Sequence, residues 1–320
     1  MTRYLITGGA GFVGSHLTRY LVHKGHSVVV LDRIDSAGYM GRLDGVPCKF
    51  VRHDLAAGIN KHVDQAIGPV DMAIHLAAAS HVDRSVSDPM CFLQDNILGT
   101  YSMLQWSRTR NLKKLMVMST DEVFGAAPIG RSFSEHDVMN PSNPYAGCKA
   151  AAELLVPAWA ATWRIPAVIV RSTNLYGSGQ DPEKFIPLVT SKVQSGDTVQ
   201  IHADADCKIP STRCYLHVSD ACRAFELILE KGTVLGGNSG GRYNLSGGAE
   251  VSNLYVAEQI AEKLGKPLKH ELVSFVPNRP RHDMRYAVSW ERLKELGWAP
   301  EVGLDDGLRE ALREALGEWL

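Results

Sequence analysis

Short apolar runs, each closed by glycine or a polar turn and followed by a stretch of helical period, recur along the first half of the chain. Residues 3–7 (RYLIT) form the first run. From 11 to 24, Phe12, Val13, Leu17, Tyr20 and Leu21 recur at helical spacing, and Lys24-Gly25 supplies a stop. Residues 26–31 (HSVVVL) are a second, β-branched run. Further strands are expected at 48–52, 72–76, 115–119 and 167–170. One long helix is expected from Asp88-Pro89 to about 110 and another from Pro144 to about Trp163. Strands alternating with helices predict an α/β fold built on a doubly wound parallel sheet. The end, 305–320, reads as an amphipathic helix with Leu308, Leu312 and Leu316 on one stripe, and 236–241 as a glycine-rich surface loop.

Composition narrows the classes. The chain has 320 residues, 45% hydrophobic and 22% charged, ordinary values for a globular protein. With 34 basic against 35 acidic residues, the net charge is −1, so there is no overall field to draw nucleic acid or an anionic membrane. No apolar run reaches the ~18–20 residues that span a bilayer. Six cysteines (48, 91, 148, 207, 214, 222) include no C-x-x-C pair, and together with the lack of an export signal they point to reduced thiols in the cytoplasm. A metal site is not expected: Cys207 and Cys214 lie far apart with no ligand cluster, and no HExxH occurs.

Candidate chemistry starts at the first turn. Glycines 8, 11 and 14 are spaced G-x-x-G-x-x-G between strand and helix, so the unit reads as a Rossmann-type βαβ motif. Such a turn lets a pyrophosphate approach the backbone and presents the free N–H groups of a helix start, here beginning at Phe12 and Val13. Asp32 ends the second strand, where a carboxylate accepts from ribose hydroxyls and repels a 2′-phosphate; NAD is therefore favoured over NADP, although Arg33 could swing toward such a phosphate. Asp54 and Leu55 follow the third strand, and Leu76, Ala77 and Ala78 the fourth. The alanines allow either a close dinucleotide or ordinary tight packing. Thr120-Asp121-Glu122 follows the strand at 115–119. Tyr145 and Lys149 project from one face of the next helix, where the ammonium is expected to draw the phenol from ~10 toward neutrality. Taken alone, Y-x-x-x-K is usually a solvated helix face and Asp-Glu an exposed turn.

The stretches TGGAGFVGS (7–15), HLAAASHVDRS (75–85), STDEVFG (119–125), PYAGCK (144–149), PEKFIP (182–187) and RPRHDMRYAV (279–288) cover nearly the whole chain. On them the chain resembles the extended short-chain dehydrogenase/reductase family and, within it, the nucleotide-sugar 4,6-dehydratases typified by the dTDP-glucose enzymes. STDEVFG is the most specific, since related epimerases and decarboxylases generally lack the Asp-Glu pair. The resemblance implies NAD as cofactor and a nucleoside-diphosphate hexose as substrate. It also implies a homodimer formed through the helices near 90–110 and 145–163. In that scheme Tyr145, aided by Thr120 and Lys149, takes the proton of the sugar hydroxyl at carbon 4 while NAD accepts the hydride. Glu122 then removes the hydrogen at carbon 5, Asp121 protonates the departing hydroxyl at carbon 6, and the hydride returns to carbon 6. One carboxyl must be neutral and its neighbour charged. The chain is therefore expected to leave strand geometry at Thr120, so that both reach one substrate.

The same resemblance assigns substrate contacts to Ser80, Thr120, Asn174, Glu183 and Lys184, diphosphate clamps to Arg213 and Arg279, and a weaker contact to Asn244. Leu175 departs from a second asparagine common in the family. Residues 203–212 are longer than their usual counterpart, either altering base choice or forming a neutral loop. The implied division is an NAD-binding unit of residues 1–172 with 214–246 returning to it, and a smaller C-terminal substrate-binding domain of 173–213 and 247–320. A nucleotide-sugar 4-epimerase or decarboxylase is the nearer alternative; a non-catalytic NAD sensor is more remote, having no use for Thr120, Tyr145 and Lys149 together.

Overall fold

The computed structural model describes residues 1–34, 39–236, 240–248, 250–274, 283–313 and 315–317. The apolar runs become strands buried on both faces, as parallel strands beneath two helix layers must be. In chain order they are β1 (Arg3–Thr7), β2 (Ser27–Asp32), β3 (Lys49–Arg52), β4 (Met72–His75), β5 (Lys114–Thr120) and β6 (Ala167–Ser172). The chain then departs to form β7 (Asn174–Tyr176), β8 (Val199–Ala203) and β9 (Thr212–His217), and returns as β10 (Arg242–Leu245) before β11 (Glu250–Ser252) and β12 (His270–Ser274). The main sheet has seven strands in the order β10-β6-β5-β4-β1-β2-β3, every pair parallel. The order reverses beside β1, which is where an open α/β sheet leaves a crevice at its carboxyl edge.

Alternate residues feed two cores. Tyr4, Ile6, Val28, Val30 and Met116 pack against Leu17 and Leu21 of α1 (Phe12–His23). Leu5, Val29, Leu31 and Leu115 face the other way, toward Met103 and Val156. Helices α2 (Lys61–Ile67), α3 (Val82–Ser87), α4 (Pro89–Phe92) and α5 (Gly99–Ser107) precede β5, and α6 (Pro144–Trp163) precedes β6. A third core, with Tyr176, Ile186, Val189, Ile201 and Val256, lies under a smaller three-stranded sheet (β11-β9-β7) and the pair β12-β8. Helices α7 (Phe185–Ser195), α8 (Val218–Lys231), α9 (Asn253–Lys263), α10 (Glu291–Glu295) and α11 (Leu304–Ala311) complete the chain.

Three expectations change. The long helix at 88–110 is broken: α4 and α5 flank a π-helical segment, Leu93–Leu98, whose wider turn re-aims its side chains. Asp88 caps the start, accepting from the Cys91 N–H, with Pro89 in the first turn. Residues 214–217 pair within the small sheet as part of β9, so the return to the large layer starts with α8. The regular terminal helix closes at Ala311, although Leu308 and Leu312 are buried as the stripe requires and Leu316 packs beside them. Among the described residues, no helix is long and apolar enough to cross a membrane.

Candidate active site

The cleft opens along the carboxyl edge of β1, β2, β4 and β5. Gly8, Gly11, Phe12, Val13 and Gly14 line it from the first turn. Gly8 sits at φ +70°, and a Cβ there would meet the Ala77 backbone at 2.7 Å; one on Gly14 would lie 2.1 Å from the Gly8 carbonyl. Glycine is thus required by both conformation and space. Gly11 precedes α1 without any side-chain cap, leaving the first N–H groups of the helix for an anion. Asp32, Asp54, Leu55, Leu76, Ala77 and Ala78 line the same end. The Asp32 carboxylate is fixed by the Ala10 N–H at 3.0 Å and the Ile34 N–H at 2.9 Å. These residues form a cradle fit for a dinucleotide.

Strand geometry does stop at Thr120. Asp121–Phe124 is a 3-10 turn capped by the Thr120 hydroxyl, which accepts from the Glu122 N–H at 3.3 Å. Thr120, Asp121, Glu122, Tyr145 and Lys149 consequently line one stretch of wall. Tyr145 and Lys149 sit in the first turns of α6, where Asn143 caps the helix through the Ala146 N–H at 2.8 Å and Pro144 starts it. The other arm of Asn143 donates to Glu122 Oε2 at 3.3 Å, so one residue anchors both the tyrosine's helix and the glutamate. Ser85 accepts from the Tyr145 N–H at 3.1 Å, and Phe92 packs edge-on to the phenol ring at 6.1 Å between centroids.

Electrostatics separate the two carboxyls. Burial, reinforced by the charge of Glu122, pushes Asp121 up to about 7. Burial also raises Glu122, but Arg213, Asn143, Lys184 and Tyr286 oppose it, the Tyr286 hydroxyl donating to Oε2 at 3.3 Å. Lys149 donates to the Met118 carbonyl at 2.7 Å, and burial brings it down to about 8. Tyr145 departs from expectation: burial, then the Glu122 charge, hold its phenol above the ordinary tyrosine range rather than drawing it toward neutrality.

Asn174, Leu175, Glu183, Lys184 and Ser80 also line the cleft. Lys184 spans the cleft, its Nζ donating to the carbonyl and, at 3.2 Å, to the hydroxyl of Ser80. Two expected contacts lie elsewhere. Arg213 is buried, donating to the carbonyls of Thr212, Met284 and Asp283 and stacking on Tyr286 at 4.4 Å; it is not among the described residues lining the cleft, and its charge bears on Glu122. Asn244 is fully buried and donates to the Phe133 carbonyl, a structural position. Arg279 lies outside the described residues. The 203–212 stretch folds on itself, Asp204 accepting from the N–H groups of Lys208 and Ile209, and does not line the cleft.

Several contributors had no assigned role from sequence. Asn143 carried a usable signal, a capping residue before Pro at a helix start. Tyr286 and Ser85 fall within family-like stretches but have no local signature. Asn96, from the π-helical segment, clamps the loop after β4 by accepting from the Ala79 N–H at 2.8 Å and donating to its carbonyl at 3.1 Å. Among the described residues, no three His, Cys, Asp or Glu side chains are grouped to hold a metal.

The pattern of the family described as GDP-mannose 4,6 dehydratase matches residues 5–311. A dTDP-glucose 4,6-dehydratase from Streptomyces niveus is 38% identical over 321 residues, covering 97% of this chain and 91% of the relative. Among solved structures, the dTDP-glucose 4,6-dehydratase DesIV from Streptomyces venezuelae, with NAD and TYD bound, superposes with a TM-score of 0.87 at 33% identity, covering 99% of this chain and 98% of that one. A Thermus thermophilus UDP-glucose 4-epimerase in complex with NAD reaches 0.88 at 29% identity, covering 99% and 100%. The backbone is therefore shared by dehydratases and epimerases alike, and the match along the sequence is what decides: this chain belongs to the GDP-mannose 4,6-dehydratase family.

Proposed function

We infer that the protein is an NAD-dependent lyase that dehydrates a nucleoside-diphosphate hexose, dTDP-glucose being the first candidate, to its 4-keto-6-deoxy product. The observation carrying this reading is the Asp121–Glu122 pair, two adjacent carboxyls turned into one cleft in unlike surroundings: Asp121 is buried beside the Glu122 charge, whereas Arg213, Asn143, Lys184 and Tyr286 oppose the effect of burial on Glu122. An epimerase or decarboxylase on this backbone has no need of that pair. NAD, when bound, supplies a hydride acceptor and a positive charge. Gly8, Gly11, Phe12, Val13 and Gly14 would hold its diphosphate, Asp32 and Asp54 its adenosine, and Leu55, Leu76, Ala77 and Ala78 would exclude water beside it.

Tyr145 takes the proton of the hydroxyl at carbon 4, with Thr120 orienting that hydroxyl and Lys149 stabilising the phenolate. The ketone so formed acidifies the hydrogen at carbon 5. Glu122, ionised, removes it; Asp121, protonated, gives its proton to the hydroxyl leaving carbon 6 as water. The hydride taken from carbon 4, which bound NAD would hold, would return to carbon 6 while Glu122 gives a proton back to carbon 5, so that no net oxidation remains. Asn174, Glu183, Lys184 and Ser80 position the sugar, and Arg279 meets the diphosphate. Arg213 opposes the effect of burial on Glu122 and so favours its ionised form. Residues 1–172 with 218–246 serve the cofactor, and the remainder serves the sugar.

A homodimer is proposed on Val86, Met90, Leu93, Leu98 and Tyr101 before β5 and on Leu154 and Trp163 of α6, large apolar residues left exposed on neighbouring helices. A cytoplasmic location fits the six free cysteines.

The test is a panel of dTDP-, UDP-, CDP- and GDP-hexoses, with products read by mass and NMR. Loss of water to a 4-keto-6-deoxy sugar supports the reading; an isobaric epimer, or no turnover across the panel, sinks it.

The pH dependence follows from the pair. Asp121 must enter protonated, so kcat should fall as pH rises through about 7, and fall again at low pH as Glu122 gains a proton. The same shift bears on folding. A carboxyl titrating higher when folded contributes stability below its unfolded value of ~3.9, and that stability is lost as pH rises through about 7. Asp121→Asn should thus raise the melting temperature more at about pH 8 than at about pH 4. An equal effect at both would show that the buried carboxyl is not the cause.

A further inference from the structure

Arg33 follows Asp32 at the end of β2 and lines the cleft with Asp54 and Arg42. A guanidinium there is the group that would accept a 2′-phosphate. In the structure its fork is committed to Asp95: Nη1 donates to Oδ1 at 2.6 Å and Nη2 to Oδ2 at 2.7 Å. Asp54 Oδ2 lies 3.5 Å from the same Nη1. The Arg33 side chain is 34% exposed and that of Asp95 9%, so the bidentate partner is better sheltered from solvent than the half-open Asp54.

Asp95 owes its position to the π-helical segment Leu93–Leu98. Asp95 and Asn96 are consecutive, and both serve the cleft wall, one gripping Arg33 and the other the Ala79 backbone. On a regular helix, neighbours diverge by about 100°.

NADP differs from NAD by a single phosphate on the adenosine ribose. We propose that Asp95 is the residue that sets coenzyme choice: by binding Arg33 through both nitrogens it withholds the cation that a 2′-phosphate would need, leaving Asp32 and Asp54 to repel it. The inference rests on NAD being the cofactor and adds the residue that enforces it. Arg42, whose Nη1 lies 3.4 Å from the Ala10 carbonyl, is another cation lining this end of the cleft and serves as control.

The experiment is equilibrium competition between NADH and NADPH on the purified full chain, for wild type, Asp95→Asn, Arg33→Ala, the double variant and Arg42→Ala. Asp95→Asn preserves shape while removing the charge, and should improve NADPH affinity relative to NADH by about tenfold, the worth of one charge-assisted hydrogen bond. Arg33→Ala in the double variant should abolish that gain. Arg33→Ala alone should leave both affinities within about twofold of wild type, because the locked cation contributes to neither. An unchanged NADPH:NADH ratio in a folded Asp95→Asn protein would overturn the proposal. So would a several-fold NADPH loss on Arg33→Ala or Arg42→Ala alone, since a cation would then already be reaching the phosphate. If Asp95→Asn fails to fold, the Arg33→Ala and Arg42→Ala arms still decide. Wild type binding neither coenzyme would overturn the NAD reading itself, a result distinct from unaltered selectivity.

Discussion

Tyr145→Phe is expected to lower kcat by about a thousandfold, within the range for loss of a positioned general base. The phenol ring fills a site walled by Phe92, and phenylalanine preserves that packing, so melting temperature and coenzyme affinity should hardly move. The structure adds a condition. Burial and the Glu122 charge hold this phenol above its ordinary range, so Lys149 and the positive charge of bound NAD must supply the downward pull. Lys149 is itself brought down to about 8 by burial, so it loses charge, and with it that pull, as pH rises past that value. A loss below about tenfold for Tyr145→Phe, with protein folded and coenzyme bound, would mean that another group takes the proton.

Replacing the paired carboxyls should cost nearly as much, but at a different step. Glu122→Gln and Asp121→Asn should each lower turnover by roughly a hundredfold to ten-thousandfold. Glu122→Gln keeps the contacts to Asn143 and Tyr286 within reach while removing the base. Oxidation at carbon 4 needs neither carboxyl. Either variant mixed with substrate should therefore accumulate reduced coenzyme, up to one equivalent per site, followed in its absorbance. Full turnover would refute the roles assigned to the pair. Slow turnover without that accumulation would place the damage at Tyr145 instead.

Much of this was legible because it is local. The glycines at 8, 11 and 14 sit within one turn, and their demand for space and conformation needs no knowledge of the rest of the fold. Asp121 and Glu122 are adjacent, so only the break in strand geometry had to be inferred. Contacts set by the tertiary fold were not legible in this way. Arg33 meets Asp95 across 62 positions, through a π-helical turn that hydrophobic spacing alone does not distinguish from an ordinary helix. Arg213 has the chemistry of a diphosphate clamp, but a guanidinium also satisfies three main-chain carbonyls, and its contacts with 283–286 depend on packing that the sequence does not show. Tyr145 illustrates a third limit: the nearby lysine is visible in the sequence, whereas the burial that outweighs it is not.

In the proposed reaction one cleft serves both the oxidation at carbon 4 and the elimination across carbons 5 and 6 through Glu122 and Asp121. The most direct measurement is the product formed from dTDP-glucose in deuterated water, read by mass and NMR. Expected are loss of one water, a ketone at carbon 4, a methyl group at carbon 6, and solvent deuterium at carbon 5, where Glu122 returns a proton after exchange with solvent. An isobaric sugar inverted at carbon 4, or a dehydrated product without deuterium at carbon 5, would contradict it.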